Sequence, residues 1–157
     1  MLTDLEILLE PLQCELARVA RLGRELGLLI RSKAELLGQP IVVDIRRGDD
    51  VIFFSAMPGT APTNADWARR KRNLVNLLGE PSYAVGARAK LGSNLLDLMG
   101  LNARDYAAHG GCFPIRVNGA GMIGTATISG LPSRDDHKLI TNCIAALLNV
   151  DLGEAAF

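Results

Sequence analysis

A histidine stands directly before two glycines in Tyr106-Ala107-Ala108-His109-Gly110-Gly111-Cys112-Phe113, where a helical segment is expected to give way to a strand. Glycine tolerates backbone angles that other residues avoid, and it lets a ligand or another backbone come close. An imidazole beside such a gap titrates near neutral pH and can bond a metal or the polar edge of a ligand. It can equally cap the preceding helix by meeting its last carbonyls. Lys71 is the second candidate. On a helix, positions 67, 71, 74, 75 and 78 share one face, and Lys71 interrupts the apolar stripe Trp67, Leu74, Val75, Leu78. An inward lysine needs an acidic partner such as Asp44, an anionic ligand, or a route to the rim for its ammonium group.

The remaining candidates are weaker on spacing alone. Asp44 lies on a strand between apolar neighbours, which fits a ligand anchor, a general base or a structural ion pair. Arg72, with Arg69 and Arg70, reads either as a solvated basic face or as a contact for an anionic guest. His137 falls in the first turn of a helix, where the dipole disfavours its charged form; a neutral metal ligand is one reading, and a solvated or capping role is the expected one. Cys112 beside Gly111 is either a reactive thiol or a small buried one. Two histidines far apart make no metal-spacing motif. No P-loop, no G-x-S-x-G elbow and no G-x-G-x-x-G after a strand is present, so kinase, hydrolase and dinucleotide chemistry lack their usual support.

These side chains must be positioned by one domain over residues 1–157, long enough to bury roughly 68–70% of its unfolded surface. Lys plus Arg and Asp plus Glu both number 17, which argues against a nucleic-acid partner. Hydrophobic residues reach 48%, leaving apolar surface for contacts between subunits. Cys14, Cys112 and Cys143 are odd in number and widely spaced, as expected of reduced thiols in the cytoplasm. No apolar run approaches the roughly 18 residues a bilayer requires, so no membrane partner is expected.

The periodicity predicts a short helix over 3–10, interrupted at Pro11, and a long one over 13–37 that stops at Gly38. Strands are expected over 41–46 and 51–56, joined by Arg47-Gly48-Asp49-Asp50. Thr63 or Asn64 can cap a helix running to Leu78 and Gly79, and Pro81 suits the first turn of another reaching Lys90. Weaker helical pieces are expected over 95–99 and 103–108. A second hairpin over 113–117 and 121–129 flanks Asn118-Gly119, the favoured dipeptide of a two-residue type I′ turn. Ser133 with Asp136 reads as a capping box for a last helix running to about Val150. Neither hairpin needs a parallel crossover, so an antiparallel sheet with packed helices is expected.

Four blocks also stand in a telling order: Val43-Asp44-Ile45-Arg46-Arg47, Trp67-Ala68-Arg69-Arg70-Lys71-Arg72-Asn73, Tyr106-Ala107-Ala108-His109-Gly110-Gly111, and Gly124-Thr125-Ala126-Thr127-Ile128-Ser129-Gly130-Leu131-Pro132 followed by Asp136-His137. Together they closely resemble the uncharacterised protein family numbered 0303, a branch of the heme-degrading-domain (HbpS-like, GlcG-like) superfamily. The resemblance covers nearly the whole chain. It implies an α/β fold of the α+β type, a profilin-like α/β/α sandwich around a five-stranded antiparallel sheet, and a homo-oligomer larger than a dimer. It also implies binding of heme or a related tetrapyrrole. On the residues themselves, His109 is a candidate iron ligand, and His109, Gly110, Gly111, Lys71, Asp44 and Arg72 are the candidate contacts. Two other readings stay open: an oligomeric interaction scaffold, and an enzyme of heme or small-metabolite turnover.

Overall fold

The computed structural model describes the backbone of residues 4–92 and 95–153, and the side chains of residues 17–92 and 96–153. Its elements run α1 (Asp4–Leu36), β1 (Val42–Arg47), β2 (Asp50–Ala56), α2 (Pro62–Leu78), α3 (Ser82–Lys90), α4 (Leu95–Leu98), β3 (Cys112–Val117), β4 (Gly121–Ser129) and α5 (Ser133–Leu148). The strands form one antiparallel sheet in the order β2-β1-β4-β3.

Strand alternation divides the sheet into two chemically different faces. Val43, Ile45, Ala126 and Ile128 join Leu26, Ile30 and Ala34 of α1 and Leu139, Ile140 and Cys143 of α5 in the hydrophobic core. The opposite face carries Asp44, Thr125 and Thr127, all buried, and α2 packs across it against β4, β3 and β1. The layers are therefore α1 with α5, the sheet, then α2. A bulge at Ile45/Arg46 leaves Ile52 opposite no partner. Ile52 and Phe53 then both meet α1, over Gly23 and Gly27; a Cβ on Gly27 would lie 2.3 Å from the Phe53 ring.

Several expectations are corrected. The sheet has four strands among the described residues, not five. The outer edge of β3 is met instead by the α2–α3 connection and the first residue of α3. There the Ser82 hydroxyl accepts from Cys112 N at 3.1 Å, and Arg116 Nη2 donates to Gly79 O at 2.6 Å. The helix expected to break at Pro11 runs unbroken through it, since one proline removes a single hydrogen bond from a long ladder. The first hairpin closes through Gly48-Asp49 alone, because Arg47 and Asp50 still pair. In the second, Val117 pairs with Gly121, so its loop has three residues. A type I′ turn needs positive φ at both central residues, but Gly119 has φ +81° while Asn118 is not left-handed.

Residues 103–108 are a turn and extended chain rather than a helix. Side chains and backbone of α2 hold them: Asn73 Nδ2 donates to Asp105 O at 2.9 Å, Arg69 Nη2 to Arg104 O at 2.9 Å, and Ala107 N to Arg70 O at 3.2 Å. α2 starts at Pro62, with Asn64 Oδ1 accepting from Ala61 N at 2.8 Å, and ends on Gly79 in the left-handed region.

Candidate functional site

The polar face under α2 ends in a small cavity of about 260 Å³, where the ends of α2 and β4 meet the first turn of α5. Trp67, Lys71, His109, Ser133 and Asp136 are among the side chains lining it. The sequence places Lys71 and His109 on different elements, and the fold brings them to one cavity. Lys71 is not held by Asp44, as one reading expected. Its Nζ donates to Asp136 Oδ2 at 2.7 Å and to Ile128 O at 3.1 Å. Both side chains are almost wholly buried, at 4% and 1% exposure. Burial pushes the Asp136 carboxyl up, while Lys71 and the backbone N–H groups of Leu131 and Gly130 pull it back.

The two glycines have steric explanations. A Cβ on Gly110 would lie 2.1 Å from Ser133 O. Gly111 has φ +120°, and a Cβ there would stand 2.6 Å from Ile128 O and 2.8 Å from Lys71 Nζ. Gly110 and Gly111 therefore serve the site by leaving room for its parts; neither lines the cavity. Ser133 does not cap its own helix as the expected box required. Its hydroxyl accepts from Gly110 N at 2.7 Å, and Asp136 reaches back to accept from Leu131 N at 3.0 Å. The glycine hinge, the end of β4 and the start of α5 are thereby tied together.

His109 is exposed, and its ring meets Trp67 edge-on with centroids 4.9 Å apart. Partial burial first, then the charges of Lys71, Arg70 and Lys90, lower its pKa. A neutral imidazole has a free ring nitrogen, which suits it to bind a metal. His109 also lines a second, larger cavity of about 770 Å³ between α3 and residues 103–109.

The other candidates lie elsewhere. Asp44 sits at the sheet centre between Arg72 and Arg46, with Arg46 Nε 2.9 Å away. Neither Asp44 nor Arg72 lines the cavity. Arg72 is not solvated: its side chain is 14% exposed. Cys112 is fully buried, its Sγ accepts from Thr127 Oγ1 at 3.0 Å, and burial pushes its thiol up to about 12. That makes it the small buried thiol and not a nucleophile. Cys112 and Cys143 are free, and Cys14 lies outside the described side chains. His137, expected at a solvated first turn, is buried and stacks on Tyr83 at 4.6 Å.

Sequence reasoning missed two contacts. The Arg70 guanidinium lies over the Trp67 ring, 4.1 Å from its centroid, an i,i+3 pair that helical spacing could have flagged. Nothing local marks the 65-residue reach from Lys71 to Asp136. Among the described residues, no group of three His, Cys, Asp or Glu side chains could hold a metal ion, and no helix is long and apolar enough to cross a membrane.

A four-stranded antiparallel sheet between helical layers, with a cavity at the end of its polar face, defines the class of fold. The chain belongs to the HbpS-like family, described as haem degrading protein HbpS-like, whose model matches residues 20–145. It is similar to UPF0303 proteins: that of Azotobacter vinelandii is 52% identical over 132 residues, covering 83% of this chain and 80% of the relative. That of Serratia proteamaculans is 46% identical over 129 residues, covering 82% and 80%. Among solved structures, Ybr137w superposes with TM-score 0.76 at 25% identity, covering 85% of this chain and 80% of the other. HbpS matches with TM-score 0.64 at 21% identity, covering 82% and 88%. The structure of a PduOC:heme complex matches with TM-score 0.68 at 21% identity, covering 82% and 92%.

Proposed function

We propose that this protein is a small-molecule binding domain whose ligand is planar and anionic, with heme or a related tetrapyrrole as the leading class. The observation that carries the reading is His109. Its imidazole lines both cavities, and partial burial, then the charges of Lys71, Arg70 and Lys90, lower its pKa and favour the neutral form. Such an imidazole would suit an iron tetrapyrrole as a nitrogen donor to its metal, and the cations would suit the acidic edge of one. The 260 Å³ cavity is smaller than the ~300–1,000 Å³ typical of ligand pockets, so a macrocycle has to extend to the other side of His109. A bound heme would supply a redox-active iron. His109 would hold that iron, Trp67 would brace the imidazole, and Lys71 would stand by with its ammonium on the cavity floor. Asp44 and Arg72 would act on the sheet behind the site, keeping α2 in place. One structural neighbour is a PduOC:heme complex and the family is that of haem degrading proteins; both support the ligand class.

The chain is read as a cytoplasmic homo-oligomer larger than a dimer. Supporting this are large apolar side chains left open to solvent, among them Leu36 at 88% and Leu98 at 78% exposure. Adding hemin to the purified protein tests the function. A Soret band that saturates at a fixed heme-to-chain ratio is expected. No band would leave the interaction-scaffold reading, and turnover of bound heme by an added reductant would favour the enzyme reading.

A further inference from the structure

The 770 Å³ cavity beyond His109 has walls from α2 (Arg70), α3 (Tyr83, Lys90) and the 103–109 segment (Tyr106, His109), and Leu96 also lines it. Its volume lies within the ~300–1,000 Å³ of small-molecule sites. Not one of the residues lining it is acidic. Arg69, Arg72 and Arg88 each meet a carboxylate. Arg70 does not: among the described residues no carboxylate pairs with it, and its Nε is buried with no hydrogen-bond partner. The Trp67 ring under it fixes the guanidinium but supplies no counter-charge. Lys90, exposed on the last turn of α3, likewise has no ion-pair partner among the described residues. A half-buried cation without an acid is costly to keep, and an anion in the cavity offsets that cost. Tyr83 and Tyr106 give the same cavity aromatic walls, suited to a flat ring system.

We propose that this cavity is a carboxylate-binding aromatic site, in which Arg70 and Lys90 take the carboxylates of a planar ligand whose ring system lies against Tyr83 and Tyr106. The proposal rests on the reading of His109 above for where the ring centre lies, but the two cations act without any iron. It predicts that the acidic edge of the ligand, not a metal, supplies much of the affinity.

The test uses the full chain and metal-free protoporphyrin IX, a planar ring with two carboxylates, against its uncharged dimethyl ester. Trp67 is the single tryptophan, so quenching of its fluorescence reports occupancy beside Arg70. The free acid should bind the parent at least about tenfold more tightly than the ester. Arg70→Gln and Lys90→Gln should each weaken acid binding by roughly tenfold, as expected for loss of a charged hydrogen bond. Ester binding should not change in either variant. Equal binding of acid and ester, or acid binding unchanged in Lys90→Gln, would overturn the proposal. Lys90 is exposed, so that variant decides the matter even if Arg70→Gln folds poorly. If His109→Ala leaves the hemin Soret band unaltered while acid binding still depends on Lys90, the imidazole reading fails and the carboxylate site stands. The opposite pattern sinks the carboxylate site alone.

Discussion

Replacing Lys71 by Met keeps most of the side-chain volume and removes the charge, leaving Asp136 buried without its cation. Asp136 would keep the Leu131 N–H at 3.0 Å, and Ile128 O would lose a donor. Removing one partner of a buried pair costs about 3–5 kcal/mol, against ~0–1 kcal/mol for an exposed pair. At 4% and 1% exposure and 2.7 Å, this pair belongs with the buried ones. For a chain of this size each kcal/mol lowers Tm by roughly 2–4 °C, so a drop of at least about 6 °C is expected. Asp136 can escape part of the penalty by taking a proton, since burial already raises its pKa. In Lys71→Met the folded state then binds a proton that the unfolded state lacks, so the loss grows as pH rises and shrinks as pH falls toward 5. Asp136→Asn in the Lys71→Met background removes the stranded charge but keeps an acceptor for Leu131 N, and should recover about half the loss or more. Urea unfolding at fixed protein concentration, at pH 5 and pH 8, measures all three proteins. A loss below about 1 kcal/mol, or a double variant no more stable than Lys71→Met, would refute the buried-pair reasoning.

Other outcomes follow from the same geometry. Gly111→Ala should destabilise at the upper end of the ~0.5–3 kcal/mol common for single substitutions, because φ +120° and two contacts under 3 Å oppose a Cβ; urea unfolding reads this. Burial lowers the pKa of His137, so the unfolded chain binds its proton first; stability should be full above about pH 6.5 and fall as pH drops through that value, and His137→Phe should flatten this slope in thermal melts. Cys112 should resist a thiol reagent in the native protein at neutral pH, and alkylation in denaturant without a reductant should give three adducts by intact mass; two missing adducts would show a disulfide. Sedimentation equilibrium at low micromolar concentration should show a species larger than a dimer, and a 16.8 kDa species alone would contradict the oligomer reading.

Much of the frame was legible because it is written in local pattern. Alternation in Val43-Asp44-Ile45 marks one apolar and one polar face, and Lys71 in the stripe of α2 announces a buried cation. The glycine pair marks close approach, though only the fold shows that Ser133 O, Ile128 O and Lys71 are what approach it. The partner of Lys71 was not legible. Asp44 and Asp136 are both carboxylates near the right face, and strand order with helix placement decides between them. Residues 103–108 have helix-forming alanines, but hydrogen bonds donated by Arg69 and Asn73 and accepted by the Arg70 carbonyl outweigh propensity there. His137 lies in a first turn that would be solvated if α3 did not bring Tyr83 against it. That no carboxylate among the described residues pairs with Arg70 is a property of everything around it, and no window of sequence contains that.

The central claim is that His109 presents a neutral imidazole to the ligand, and absorption spectra of hemin with the parent and His109→Ala test it most directly. The parent should show a sharp, red-shifted Soret band typical of imidazole-bound iron, while His109→Ala should bind more weakly with a blue-shifted band that added imidazole restores. Identical spectra and affinities for the two proteins would contradict the account.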